Sequence, residues 1–181
     1  MAFSWSLLLD RIPTRDNLAL RHILDPNASL LCVLCGRRPE TSTHLFLHCN
    51  VSSLIWREIL NWLESNFITS YNLFVQYECW NGKANSKRLK KGFWLIWHAT
   101  LWLIWEERNA RIFTNQRKEV EEIVDEIKTV SWVWTLSRLK IASFLFYEWT
   151  WNPRKCLSRR QTPLSFLDLL GEFSILLLLL L

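Results

Sequence analysis

Cys32, Cys35, His44 and Cys49 follow the pattern C-x2-C-x8-H-x4-C within eighteen residues. A zinc ion takes four soft or borderline ligands at tetrahedral corners, with bonds of about 2.3 Å to sulfur and about 2.0–2.1 Å to nitrogen. Two cysteines separated by two residues can both turn inward from one knuckle, and the Cys35-Gly36 step allows the tight turn this needs. The histidine and the last cysteine then supply the opposite edge. A loop this short cannot bury a core, so bound Zn2+ would contribute the folding free energy that the local sequence lacks. Spacing alone leaves the fourth corner open. His48 lies four residues after His44, the same-face spacing of a helix, so Cys32, Cys35, His44 and His48 would also make a Cys2His2 site. The plainer alternative is a pair of buried thiols beside a helical histidine.

Four protein ligands close the metal to water, whereas a catalytic zinc keeps one position open. No two aspartates are adjacent and no Tyr-x-Asp-Asp run occurs, so the paired carboxylates of a two-metal polymerase are not expected. Zinc deaminases place His-x-Glu ahead of Pro-Cys-x-x-Cys, but here the cysteine pair comes first and the His-x-Glu is missing. Glu40 lies near the proposed metal, where a carboxylate more often caps a helix or tunes charge than acts as a base. The expectation is a non-enzyme without a small-molecule substrate.

The elements that position the cluster read as helices. Only four glycines and five prolines occur in 181 residues, too few for the tight turns of an all-β chain. Thr14 suits an N-cap for a helix from about Arg15 to Ile23, stopped by Asp25-Pro26-Asn27. Leu54, Ile55, Ile59, Trp62 and Leu63 recur at helical spacing after the cluster. The stretch 81–91, NGKANSKRLKK, is polar and basic without an apolar period. Phe93 to about Phe113 reads as a helix whose first thirteen residues are apolar, short of the roughly 20 that span a bilayer, so it is expected to be buried and membrane contact is not expected. Val120, Ile123, Ile127, Val130 and Trp134 make a coiled-coil-like stripe that wants one apolar partner. The expected fold is mainly α, a small zinc-stapled helical module followed by long helices. The expected division is a zinc-binding domain at 1–65, a linker at 66–92, a helical region at 93–150 and a poorly ordered tail at 151–181. Twelve tryptophans imply an aromatic core or wide apolar surface.

F-S-W (Phe3 to Trp5), R-I-P-T-R-D-N-L (Arg11 to Leu18), C-V-L-C-G (Cys32 to Gly36), E-T-S-T-H-L-F-L-H-C (Glu40 to Cys49) and Trp56 closely resemble, in order and spacing, the reverse transcriptase zinc-binding domain of plant non-LTR (LINE-type) retrotransposon polyproteins and the short frames derived from them. The resemblance covers about Phe3 to Leu63. W-E-E-R-N-A-R-I-F (Trp105 to Phe113) and N-P-R-K-C (Asn152 to Cys156) are similar to segments that follow the domain. The resemblance implies His44 and Cys49 as ligands and makes His48 a neighbour. It also implies more chain ahead of F-x-W than this sequence has, so the packing of the first helix is the part it leaves open.

A net charge of +5 and a pI near 9.1 permit contact with RNA or DNA without requiring it. Arg37 and Arg38 sit on the knuckle turn, and Lys83, Lys87, Arg88, Lys90 and Lys91 form a second basic group. Trp56 and Trp62 could offer stacking faces, although their helical spacing favours core. The same features fit a structural or protein-docking module whose stripe meets a helical protein partner, and also a decayed element copy with no present function. MAFSWSLLL lacks the basic start and long apolar run of a secretory signal, so a reducing compartment, nucleus or cytoplasm, is expected for the five cysteines.

Overall fold

Among the described residues every long apolar stretch folds as a helix, and several of the helices pack around one of their number. The computed structural model describes residues 2–65, 70–82, 84 and 86–159. Its α-helices are α1 (Ala2–Leu8), α2 (Arg15–Leu20), α3 (Asn50–Trp62), α4 (Leu73–Gly82), α5 (Lys87–Phe113), α6 (Val120–Arg138), α7 (Phe146–Trp151) and α8 (Pro153–Ser158), with a π-helical turn at His44–His48. Among the described residues there is no strand, only an isolated antiparallel bridge between Leu31 and Pro39. The fold is mainly α, as the helical periodicity implies.

The starts of the helices follow their capping residues. Thr14 Oγ1 accepts the Asn17 amide at 3.3 Å, Ser86 Oγ accepts Leu89 at 3.1 Å, and Asn152 Oδ1 accepts Lys155 at 2.8 Å with Pro153 opening α8. Glu119 and Glu122 form a capping box on α6. Helix α5 is buried nearly all round over its middle turns and packs against α1, α3, α4, α6 and α8. One continuous core runs from Leu7 to Leu157, with Trp56, Trp97 and Trp149 among its largest fully buried side chains. Two of these indoles are anchored to backbone: Trp56 Nε1 donates to Phe46 O at 2.7 Å and Trp149 Nε1 to Lys128 O at 3.0 Å, while Trp97 Nε1 has no hydrogen-bond partner among the described residues. The stripe on α6 is absorbed within the chain, since Ile123 and Ile127 are buried where α6 meets α5 and α3.

Four expectations change. The segment 66–92 is not simply a linker, because it holds α4 and the first turn of α5. Its apolar signal is weak because α4 buries Gln76 between Leu73 and Trp80, and because Lys87, Lys90 and Lys91 point to solvent while Leu89 and Gly92 face protein. The segment holding Cys32, Cys35, His44 and Cys49 and the later helices share one core instead of standing as separate units. Helix α2 stops at Leu20, with His22 in the left-handed region at φ 54°, because the exposed Ile23 gains nothing from another turn. Of the expected tail, residues 151–159 are ordered, with Cys156 and Leu157 buried; the remainder, including the terminal leucine tract, lies outside the described residues. The first helix packs firmly: Phe3 meets Phe46, Trp102 and Trp105 at ring-centroid distances of 6.3, 5.4 and 5.9 Å. No helix among the described residues is long and apolar enough to cross a membrane.

Candidate metal centre

Two backbone devices bring the cluster together. The first is the knuckle. Cys32 N donates to Arg38 O at 2.7 Å and Glu40 N to Leu30 O at 2.8 Å, folding the chain back across the Leu31–Pro39 bridge. At the tip Gly36 N donates to Cys32 O at 2.7 Å with φ at +65°, a conformation that a Cβ would strain.

The second device is the widened turn. Cys49 N donates to His44 O at 2.7 Å, an i to i−5 bond that closes the π-helical turn, and Cys49 itself is extended as it caps α3. The backbone thus leaves regular helix between His44 and Cys49, and the extra residue in the turn brings Cys49 back beneath His44. His48 goes elsewhere: its exposed ring has Nε2 at 3.3 Å from Ser70 O.

The ligand atoms of Cys32, Cys35, His44 and Cys49 all lie within 4.8 Å of one another. Cys32 Sγ and Cys49 Sγ are 3.9 Å apart, and Cys35 Sγ is 3.3 Å from His44 Nε2. A tetrahedron built on zinc bond lengths has edges of about 3.8 Å between sulfurs and about 3.5 Å between sulfur and nitrogen. The separations therefore suit four ligands around one ion, while the sulfurs stand far outside disulfide distance of about 2.05 Å. Cys32, His44 and Cys49 are buried and Cys35 is half-buried at the mouth.

The contact between the two sulfurs moves their thiols in opposite directions. The Cys49 thiol is lowered by its hydrogen bond from Cys32 and by the Val51 and Ser52 amides that open α3, while the same sulfur contact and burial push Cys32 up. A divalent ion binds cysteine as thiolate, so metal binding at this pair would be coupled to proton release. Burial, with Arg38 and His48 nearby, lowers His44, which favours the neutral ring that metal ligation requires.

A supporting shell comes from α5. Glu40 is fully buried; its Oε1 accepts the Arg15 amide at 3.1 Å and its Oε2 accepts the Val33 amide at 3.1 Å, so one carboxylate caps α2 and holds the knuckle between Cys32 and Cys35. Arg108 pairs with it at 2.7 Å, and Arg111, paired with Glu107 at 2.6 Å, donates from Nη1 to Leu34 O at 2.9 Å. Glu40 is thus a helix cap with a structural partner. Arg108 and Arg111 escape a sequence reading, whose only signal is the charged W-E-E-R-N-A-R run directly after a long apolar one.

The basic residues divide. Arg37 and Arg38 are exposed on the knuckle. Lys87, Lys90 and Lys91 are exposed on the first turn of α5, Arg88 bonds through Nη1 to Arg159 O, and Lys83 lies outside the described residues. Because Arg108 and Arg111 hold the knuckle near the far end of α5, the two groups stand apart by about 30 Å of helix at 1.5 Å per residue. Trp56 and Trp62 are not stacking faces: Trp56 is fully buried and Trp62 is edge-on to Trp149 at 5.5 Å with Nε1 bonded to Trp149 O.

Residues 1–56 match the model of a family described as zinc-binding in reverse transcriptase. The matched segment contains all four converging side chains and supports a reverse transcriptase zinc-binding domain at this end of the chain. No curated protein and no solved structure matches the chain.

Proposed function

We propose that the chain is a non-catalytic zinc module derived from a retrotransposon reverse transcriptase polyprotein, in the plant LINE-type lineage its motif order resembles, and that it contacts nucleic acid inside the cell. The observation that carries this reading is the convergence of three sulfurs and one imidazole nitrogen within 4.8 Å, inside a segment matching a zinc-binding family. Cys32, Cys35, His44 and Cys49 would hold Zn2+, which supplies tetrahedral cross-linking and no exchangeable water. Metal analysis of the purified full chain tests it: one zinc per chain in the wild type and in His48→Ala, and loss of zinc with unfolding of the loop in Cys49→Ala. Zinc retained by Cys49→Ala but lost from His48→Ala would defeat the ligand assignment.

A structural or protein-docking role is the second reading, favoured by Leu20 and Ile23, which are 72% and 67% exposed beside the zinc loop. Binding to single-stranded RNA that falls steeply with salt supports nucleic-acid contact, since phosphate contacts release counterions. Self-association indifferent to salt supports docking.

A further inference from the structure

Charge is distributed unevenly over the fold. Between Glu78 and Glu106 the sequence has no carboxylate, and between Glu126 and residue 159 it has one, Glu148. That carboxylate is already neutralised by Arg159, which bonds to both of its oxygens. The two stretches meet in space. A Cβ on Gly92 would fall 2.3 Å from Leu157 Cδ2, so α8 lies flush against the start of α5. Arg88 bonds to Arg159 O, and the Arg154 guanidinium lies 5.0 Å from the Phe93 ring centre.

Lys87, Lys90 and Lys91 share one solvent-facing side of the first turn of α5 at three- and four-residue spacing. Like charges at that spacing repel, and cations at a helix N-terminus oppose the dipole. No acidic residue in that turn relieves them. On the other side of α8, Trp151 ends α7 with 74% of its surface exposed and with Lys155 Nζ of α8 5.6 Å from its ring centre, and Tyr147 is 65% exposed on the same helix. Exposed cations and a bare indole linked through α8 match a single strand, whose phosphates take the lysines and whose unstacked base takes the ring. A duplex offers no free base face to an exposed tryptophan.

We propose that single-stranded nucleic acid binds this α5–α8 platform, with Lys87, Lys90 and Lys91 on phosphates and Trp151 stacking on a base, away from the zinc knuckle. This rests on the nucleic-acid part of the function proposed above and places it on residues outside the family match.

The test is fluorescence anisotropy of the full-length protein with labelled 20-nucleotide oligouridine and oligothymidine across a salt series, each variant first shown to keep the wild-type circular dichroism and zinc content. The triple variant Lys87→Gln, Lys90→Gln, Lys91→Gln should raise Kd at least tenfold and reduce the slope of log K against log salt by about 2, for three phosphate contacts on a single strand. Trp151→Ala should raise Kd at least about fivefold with the slope unchanged, and Trp151→Phe should restore most of it. Binding that is unaffected by these variants but lost in Arg37→Gln, Arg38→Gln overturns the platform and leaves the nucleic-acid reading standing. Absence of binding by the wild type overturns both. Wild-type binding to vesicles rich in phosphatidylserine, lost in Trp151→Ala, with no oligonucleotide binding, would make the surface a membrane contact and overturn the proposal.

Discussion

Arg108 donates from both Nε and Nη2 to a single oxygen of Glu40, at 3.1 and 2.7 Å, with the two side chains 5% and 0% exposed. This buried pair joins α5 to the Cys/His loop, and its remaining valences are satisfied: Nη2 also reaches Pro13 O at 3.3 Å, and the guanidinium lies 4.7 Å from the Trp105 ring centre. A buried pair need not add net stability, but removing one partner strands the other charge, at about 3–5 kcal/mol. Arg108→Met should therefore lower the urea unfolding free energy by roughly that amount in zinc-loaded protein. Adding Glu40→Gln should recover part of the loss, because the stranded carboxylate is gone. Equal and additive losses in a double-mutant cycle would show that the pair is not coupled.

The same contact predicts how the N-terminal segment, which contains the family match, behaves by itself. Residues 1–65 in isolation would expose the Glu40 carboxylate along with Phe46 and Trp56, both 0% exposed in the whole chain. Phe46 stacks on Trp105 of α5 with ring centroids 6.4 Å apart, and Trp56 meets Trp80 of α4 at 5.5 Å. A fragment of residues 1–65 with zinc should give broad, poorly dispersed amide resonances, while residues 1–159 give a cooperative fold. Sharp native-like spectra from the short fragment would restore an autonomous domain.

The convergence of Cys32, Cys35, His44 and Cys49 and the long helices were legible in sequence because each depends on local signals: residue spacing, capping residues and apolar periodicity. What eluded it depends on distant partners. Arg111 bonds to Leu34 O, 77 residues away, and Trp62 bonds to Trp149 O, 87 residues away. Neither contact leaves a periodic trace. Spacing alone also left His48 level with Cys49, since the π-helical turn that separates them is a departure from helical geometry that no residue type between them encodes.

Gly92 is the close-approach point between α5 and α8. A methyl there meets Leu157 Cδ2 at 2.3 Å and Cδ1 at 2.4 Å, and Leu157 is 0% exposed with little room to move. Alanine would ordinarily favour a helix interior by about 1 kcal/mol over glycine. Here overpacking of about 1–3 kcal/mol opposes it, so Gly92→Ala should be neutral to destabilising where an open helix would gain. Leu157→Ala in the same chain should turn the glycine replacement favourable, a reversal visible in thermal midpoints.

His98 makes stability depend on pH. It is 8% exposed, between Trp94 at 4.0 Å and Trp97 at 5.1 Å, with Nδ1 bonded to Ser4 Oγ and Nε2 without a hydrogen-bond partner among the described residues. Burial, reinforced by Arg138, holds its pKa down to about 4 against an ordinary value of 6.5. In the folded chain the ring stays neutral, whereas the unfolded chain takes up a proton below pH 6.5. Its stabilising contribution is therefore whole above pH 6.5 and is lost as pH falls from there toward 4, by roughly 3 kcal/mol at about 1.4 kcal/mol per pKa unit. Protons also compete for the proposed zinc ligands over that range, so the informative quantity is a difference. Urea midpoints for wild type and His98→Gln, each measured from pH 8 to pH 4, should fall more steeply in the wild type between pH 6.5 and 4. Parallel curves would mean that His98 takes up its proton as readily in the folded chain as in the unfolded one.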